Sequence, residues 1–353
     1  MTSPPNFDKL ACPAPLTNQD CVQMAHGGGG RMSQRLVEGM ILPAFDNAEL
    51  GRLHDGAELK VGGARLAFST DSYVVRPLFF PGGDIGKLAV HGTVNDLAMC
   101  GARPLALSAA FILEEGFPLT ELQRVLDSMR EAAQAVGVSI VTGDTKVVDR
   151  GKGDGLYVNT AGIGLIPAGV TIDPALARPG DVVLLSGAIA AHGVAILSVR
   201  EGLTLEGPVR SDTAPLHDLV GKLLERFGRD VHVLRDPTRG GVASTLNELA
   251  KSARVGIHLR EDAIPVQEAV RGACELFGLD PLYVANEGKA LALVAPEIAE
   301  AALAQWRAHP EGTEAAIIGQ VVAEHPGMVT MQTTLGSNRV VDLLSGEQLP
   351  RIC

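Results

Sequence analysis

The chain has 353 residues, enough for about two domains of ordinary size. Apolar residues make up 46% of it, which suits a large core. Aromatic residues at 4% and a net charge of -11 argue against a nucleic-acid reader built on basic grooves and stacked rings. An acidic protein still binds a nucleotide when a metal ion neutralises the phosphates. Cys12, Cys21, Cys100, Cys274 and Cys353 form no CxxC pair, so no zinc site is expected. The start, MTSPPNFDKL, lacks the basic-then-apolar pattern of an export signal, and the odd cysteine count then points to reduced thiols in the cytoplasm.

Residues 1–50 read as an N-terminal extension holding the glycine run His26 to Gly30 and an amphipathic stretch with Met32, Leu36, Val37 and Met40. A strand, RLAFSTDSYVV, turns polar at Ser69, Thr70 and Asp71. In PGGDIGKLAVHGTVNDLAMCGA the spacing predicts a helix from Asp84 to about Cys100, stopped by Gly101. Asp84, Lys87, His91 and Asn95 share one face of it, with Asp96 about 100° further round. Such a stripe reads either as a solvated face or as a ligand-facing one. LALSAAFILEE is a strand, and PLTELQRVLDSMREAAQAVG a helix with a capping box at Thr120 and Gln123. VSIVTGDTK and GLYVNTAGIGLI are further strands.

Beyond the turn ARPGD the strand–helix alternation resumes with VVLLSG and HGVAILSVREG, and continues to AAIIGQVV. The uncharged run 182–199 is broken by Ser186-Gly187 and His192-Gly193, so it reads as strand and helix rather than a membrane span. The expected organisation is α/β: an extension (1–50), a first domain (51–167), a second (168–330) and a tail (331–353) carrying Cys353.

Asp71 and Asp144 follow apolar strands and Asp96 lies on the polar helix. Open α/β sheets gather ligands at strand ends, and converging carboxylates there suit Mg²⁺. For any one of them a turn or cap role is the plain alternative. Lys146, two residues after Asp144, points the same way on an extended segment and would meet a transferring phosphate; otherwise it is a surface lysine. The glycine run Gly27, Gly28, Gly29 and Gly30 would lay backbone N–H groups on phosphates, or simply link. RDPTRGG, with Asp236, sets a charged glycine turn before a helix, another anion-friendly geometry. Glu287 in ANEGK follows an apolar run and is a candidate proton acceptor or a turn residue. Cys353 is the last residue. Its terminal carboxylate opposes thiolate formation, so a mobile carrier thiol fits better than an activated nucleophile.

Taken together, STDSYVV, FFPGGDIGKLAVHGTVNDLAMCGA, IVTGDTKVVDRGKGDG, RDPTRGG and the terminal PRIC resemble the HypE family of hydrogenase maturation factors. That family lies within the PurM-like superfamily of aminoimidazole ribonucleotide and selenophosphate synthetases. The match runs from about His26 to Cys353, and GGDIGKLAVHGTVNDLA and PRIC are its most specific parts. The resemblance implies a two-domain PurM-like fold and a homodimer paired through N-terminal sheets, with ATP near that interface. It implies a carbamoyl group received on Cys353 from HypF, its ATP-dependent dehydration to a thiocyanate, and cyanide passed to the HypC–HypD complex for nickel–iron hydrogenase. In that scheme Asp71, Asp96 and Asp144 hold Mg²⁺, and Lys146 steadies the γ-phosphate or the developing oxyanion. Glu287 or His91 takes a proton, and the glycine run with Asp84, Lys87, Asn95 and Asp236 serves the nucleotide. Two rival readings stand beside it: a superfamily synthetase or phosphotransferase acting on a free small molecule, and a non-catalytic nucleotide-binding scaffold.

Overall fold

A computed structural model describes residues 21–202, 209–345 and 351–353. Cys12 lies outside them. The first sheet comprises β1 (Ala57–Val61), β2 (Ala64–Tyr73), β5 (Arg103–Glu114), β6 (Ser139–Val148) and β7 (Leu156–Leu165); a small hairpin, β3 (Phe79–Phe80) and β4 (Gly83–Asp84), stands apart. The sheet order is β1-β2-β7-β5-β6, antiparallel except for the parallel pair β5–β6, so β6 is an edge strand. Asp71 and Asp144 sit inside strands β2 and β6 rather than beyond their ends.

The helices before and within this half are α1 (Arg31–Leu36), which runs through a π turn into α2 (Leu42–Phe45), then α3 (Ile85–Met99) and α4 (Leu119–Val136). In α3 the Asp84 carboxylate caps the start by accepting from the N–H groups of Gly86 and Lys87. Nearly every side of α3 is buried, because it lies between the first sheet and the second domain. The stripe read from sequence is therefore internal. Asn95 donates to the carbonyl of Ala214 and accepts from the N–H of Leu216, tying the two halves together. Helix α4 buries Val125, Met129, Ala132 and Ala133, and Gly137 ends it in the left-handed conformation at φ 77°. Its N-cap is Pro118, two residues earlier than a Thr120 capping box would need, so that box is not made.

The second sheet, in the order β14-β13-β10-β12-β8-β11-β9, uses β8 (Val182–Leu185), β9 (Val231–Arg235), β10 (Gly256–Arg260), β11 (Leu291–Val294), β12 (Ala316–Val322), β13 (Val329–Gln332) and β14 (Asn338–Val341). β14 and the end of β13 lie in what the sequence suggested was tail: the turn-rich composition hid a short hairpin that extends the sheet. Helices α5 (Ala191–Arg200), α6 (His217–Phe227), α7 (Gly241–Ala253), α8 (Glu268–Phe277) and α9 (Ala299–Arg307) pack on it. Leu216, Leu219, Val220 and Leu223 join α3 in one core that crosses the domain junction. Among the described residues no helix is long and apolar enough to cross a membrane.

Candidate active site

Two cavities meet at the junction of the halves. The first, about 420 Å³, collects carboxylates from five separate elements: Asp55 before β1, Asp71 on β2, Asp96 on α3, Asp236 after β9 and Glu248 on α7. Its other end is apolar, with Leu36, Val37 and Ile41 from the N-terminal helices. Ser69 donates to Asp96 at 2.6 Å. Arg235 pairs with Asp55 at 2.8 Å and with Glu248 at 2.9 Å. Burial drives Asp55 and Asp96 well above the ordinary carboxylate range, and the neighbouring carboxylates add to it. Burial likewise raises Asp236 to about 6, against the opposing pull of Arg235. Asp55 Oδ2 is buried without a hydrogen-bond partner among the described residues. Crowded acidic oxygens with one left unpaired fit a hard divalent cation. No three His, Cys, Asp or Glu among the described residues form a ready-made cage, so such a cation would fill its shell with phosphate and water oxygens.

The glycine run forms one wall. Gly27 and Gly29 line the first cavity, and Gly27 and Gly28 the second. Gly29, at φ 74°, lies so close to the Arg239 carbonyl that a Cβ there would sit 2.6 Å from it. This contact presses the run against the Arg239-Gly240-Gly241 turn that starts α7.

The second cavity, about 290 Å³, holds the end of the chain. An unpacked, frayed end was the expectation; instead Ile352 and Cys353 are 4% and 8% exposed. The backbone explains this. The Val74 N–H donates to the terminal carboxylate of Cys353 at 2.9 Å and the Arg76 N–H to the Arg351 carbonyl at 3.4 Å, so the tail pairs antiparallel with the continuation of β2. Arg351 and Arg76 both pair with Asp154, and Arg200 donates to the carbonyls of Arg76 and Arg351. Deeper in, His192 Nε2 lies 2.7 Å from the Ile352 carbonyl and Nδ1 2.8 Å from the Ser211 hydroxyl. A carbonyl only accepts, so Nε2 carries the proton and Ser211 donates to Nδ1. Burial pulls the His192 pKa down, which keeps the ring neutral and that tautomer in place.

Burial pushes the Cys353 thiol up to about 12, Arg239 opposing and Glu287 and Asp71 adding. A docked thiol this weak is not a nucleophile, which agrees with a carrier loaded elsewhere. Glu287, 4% exposed, is raised well above its usual range by burial first and then by Asp71, Asp236 and Asp212. Its Oε1 is buried without a partner among the described residues, and its N–H donates to Asp212.

Some sequence candidates fall elsewhere. Asp144 and Lys146 stand on the exposed β6 edge, paired with each other at 2.6 Å, and line neither cavity. The three-aspartate metal set is therefore not assembled within one chain. Asp84 is occupied as the α3 cap and accepts from Ser128. His91 is buried against Thr213 and its pKa is pulled to about 3 by burial, with Lys87 adding, so it is a poor proton acceptor. Lys87, Asn95 and Gly30 line neither cavity; Gly30 packs on Leu344. Conversely, Asp55, Arg239, His192 and Ser211 were not singled out. The Asp-Gly of LHDGAEL beside a strand resembled the other aspartate contexts. Nothing local marks His192, whose partner is 160 residues away.

The chain matches the family models for AIR synthase related protein, the N-terminal domain over residues 53–166 and the C-terminal domain over 178–332. It is 55% identical to carbamoyl dehydratase HypE of Bradyrhizobium diazoefficiens, across 94% of this chain and 96% of that protein. The chain belongs to the HypE family of carbamoyl dehydratases. It is thus an enzyme of hydrogenase maturation with a PurM-like fold. Among solved HypE structures, a HypE–HypF complex superposes with a TM-score of 0.84 at 48% identity, covering 88% of this chain and 99% of that one. HypE in complex with ATP superposes at 0.80 with 52% identity, covering 94% and 100%.

Proposed function

We propose that this HypE-family chain dehydrates a carbamoyl group carried on Cys353 to a thiocyanate, at the expense of ATP. The observation that carries this reading is the seat of Cys353 in a cavity that shares Gly27 and Arg239 with the carboxylate-lined one. The carboxamide oxygen is a poor leaving group until phosphorylated. Its oxygen attacks the γ-phosphorus, ADP departs and one of the two N–H protons passes to solvent, leaving an O-phosphorylated imidate on sulfur. Loss of phosphate and of the remaining N–H proton then gives S–C≡N. Phosphoryl transfer needs positioning and charge neutralisation more than covalent help. The Leu36–Val37–Ile41 end suits a base, and the glycine run suits phosphates. Bound Mg²⁺ would neutralise the triphosphate, held by Asp71 and Asp96 with Asp55 and Asp236 close by. Glu287, buried and unpaired, takes the N–H proton.

Asp144 and Lys146 enter this scheme from a second copy. The first sheet leaves Phe68 and its cross-strand partner Ile163 each 41% exposed, with Leu105 and Ile112 also open. An exposed edge strand beside an apolar sheet face suits pairing between identical chains. In a homodimer of this kind the partner's β6 edge supplies the carboxylate and ammonium that one chain lacks. HypF is the proposed carbamoyl donor, a reading supported by the complex that a related HypE forms with HypF. The HypC–HypD complex is the proposed cyanide acceptor, in the cytoplasm. In this reading 51–167 is the nucleotide-binding and dimerisation unit, with the extension and Asp236 completing its cleft, and 168–330 supplies the proton acceptor.

Intact-mass measurement of the C-terminal peptide tests this. With HypF, carbamoyl phosphate and ATP, the peptide gains a carbamoyl group and then loses one water. A carbamoyl adduct that persists in ATP favours a scaffold. Unchanged ATP turnover on a free substrate after deletion of Cys353 favours the small-molecule synthetase.

A further inference from the structure

Arg239 is the cationic residue that both cavities share, and the proposed function gives it no task. It stands in the Arg235–Gly241 turn, its backbone fixed by the contact with Gly29 and by Gly240 and Gly241, both at positive φ. Its side chain is exposed where the cavities meet. Among the described residues its guanidinium makes no hydrogen bond and no ion pair, unlike Arg235 four residues earlier, which ion-pairs with Asp55 and Glu248. Its electrostatic surroundings are Cys353 foremost, then Asp71, Glu287 and Asp96. An arginine kept free of a carboxylate partner, amid groups that hold the cargo and the phosphates, has donors reserved for a transient anion.

We propose that Arg239 is a catalytic residue of the dehydration, holding the carboxamide oxygen of the Cys353-bound cargo as it takes up the phosphoryl group. The guanidinium spans the carboxamide oxygen and an oxygen of the γ-phosphate. As the C–O–P bond forms and the P–O bond to ADP breaks, its donors follow the charge on the transferring group. The same contact then stabilises phosphate as the C–O bond breaks and the C≡N bond forms, while the N–H proton leaves through Glu287. A fork of fixed N–H donors reaches two oxygens at once, which a lysine cannot do.

This inference rests on the dehydratase reading, and the experiment separates the two. The variants are Arg239→Met, which keeps bulk and removes charge, and Arg239→Lys, each loaded by HypF. In Arg239→Met we expect carbamoylation of Cys353 to persist and loss of water to slow by about a hundredfold or more, the scale of removing one charge-stabilising donor. Added guanidinium should restore part of the rate, and Arg239→Lys should remain slow. A second readout needs no catalysis. Iodoacetamide labelling of Cys353 across pH, with exposed Cys21 as internal standard, should show the Cys353 titration displaced upward in Arg239→Met, since the cation that opposes its rise is gone. A parent protein that never loses water sinks the dehydratase reading. A parent that does, alongside an Arg239→Met variant with unchanged rate, with a loss that guanidinium leaves unrepaired, or with an unmoved Cys353 titration, overturns the role of Arg239.

Discussion

The cleft and the β6 edge carry the same residue types and treat them in opposite ways. In the cleft Asp55, Asp96 and Asp236 are crowded and buried, and their pKa values rise. On β6, Asp144 lies open to solvent, and its hydrogen bond to Lys146 holds its carboxyl below the usual range. A carboxylate already matched by a lysine at the surface has no need of a metal, whereas crowded ones do. In the proposed scheme the site therefore comes in two pieces: a crowded acidic half in the cleft, and a relaxed charge pair presented beside an apolar sheet face.

The largest expected effect strikes the cleft. Removing Cys353 abolishes both carbamoyl loading and dehydration, read by intact mass; retention of either breaks the assignment of the tail. Asp96→Asn leaves loading by HypF intact and stops dehydration, a loss of about two orders of magnitude or more if it holds a catalytic cation. Next comes the edge. Asp144→Asn and Lys146→Ala should each suppress dehydration strongly while loading persists, and Lys146→Ala should still bind ATP. Unchanged rates would make β6 a mere surface.

A smaller effect belongs to the tail clamp. His192→Ala removes the donor to the Ile352 carbonyl and should slow dehydration by about tenfold, the scale of one hydrogen bond. It should also speed alkylation of Cys353 relative to Cys21, and His192→Gln, which restores a donor, should recover much of both. The smallest effect concerns stability. The Asp236 pKa is raised when folded, from 3.8 to about 6, so the folded state binds more protons between those values. In the absence of divalent cations, stability is therefore lost as pH rises through that window, by up to about 3 kcal/mol. Asp236→Asn should flatten this dependence, and Mg²⁺ should offset it in the parent, both measured by thermal melting.

Much of the fold was legible because it is written locally. Asp84 before the α3 pattern, Gly137 after α4 and the alternating strands of the second half all act within a few residues. The 329–341 hairpin was hidden by polar, turn-rich composition. The buried nature of α3 was missed because its polar stripe looks solvated until a second domain covers it. At the site, the aspartates on β2 and α3 were readable from their contexts. Residues defined by distant partners were not: His192 gains meaning only from Ile352, and Arg239 only from where Cys353 comes to rest.

The most direct test of the two-piece site mixes two inactive variants. Asp96→Asn and Asp144→Asn are combined, allowed to exchange subunits, and assayed for conversion of carbamoyl-Cys353 to thiocyanate. Half of a random mixture pairs the two variants, and one of the two sites in each such pair is intact, so about a quarter of the parent activity should return. A mixture that stays as inactive as its components, despite demonstrated exchange, would contradict a site closed by two copies.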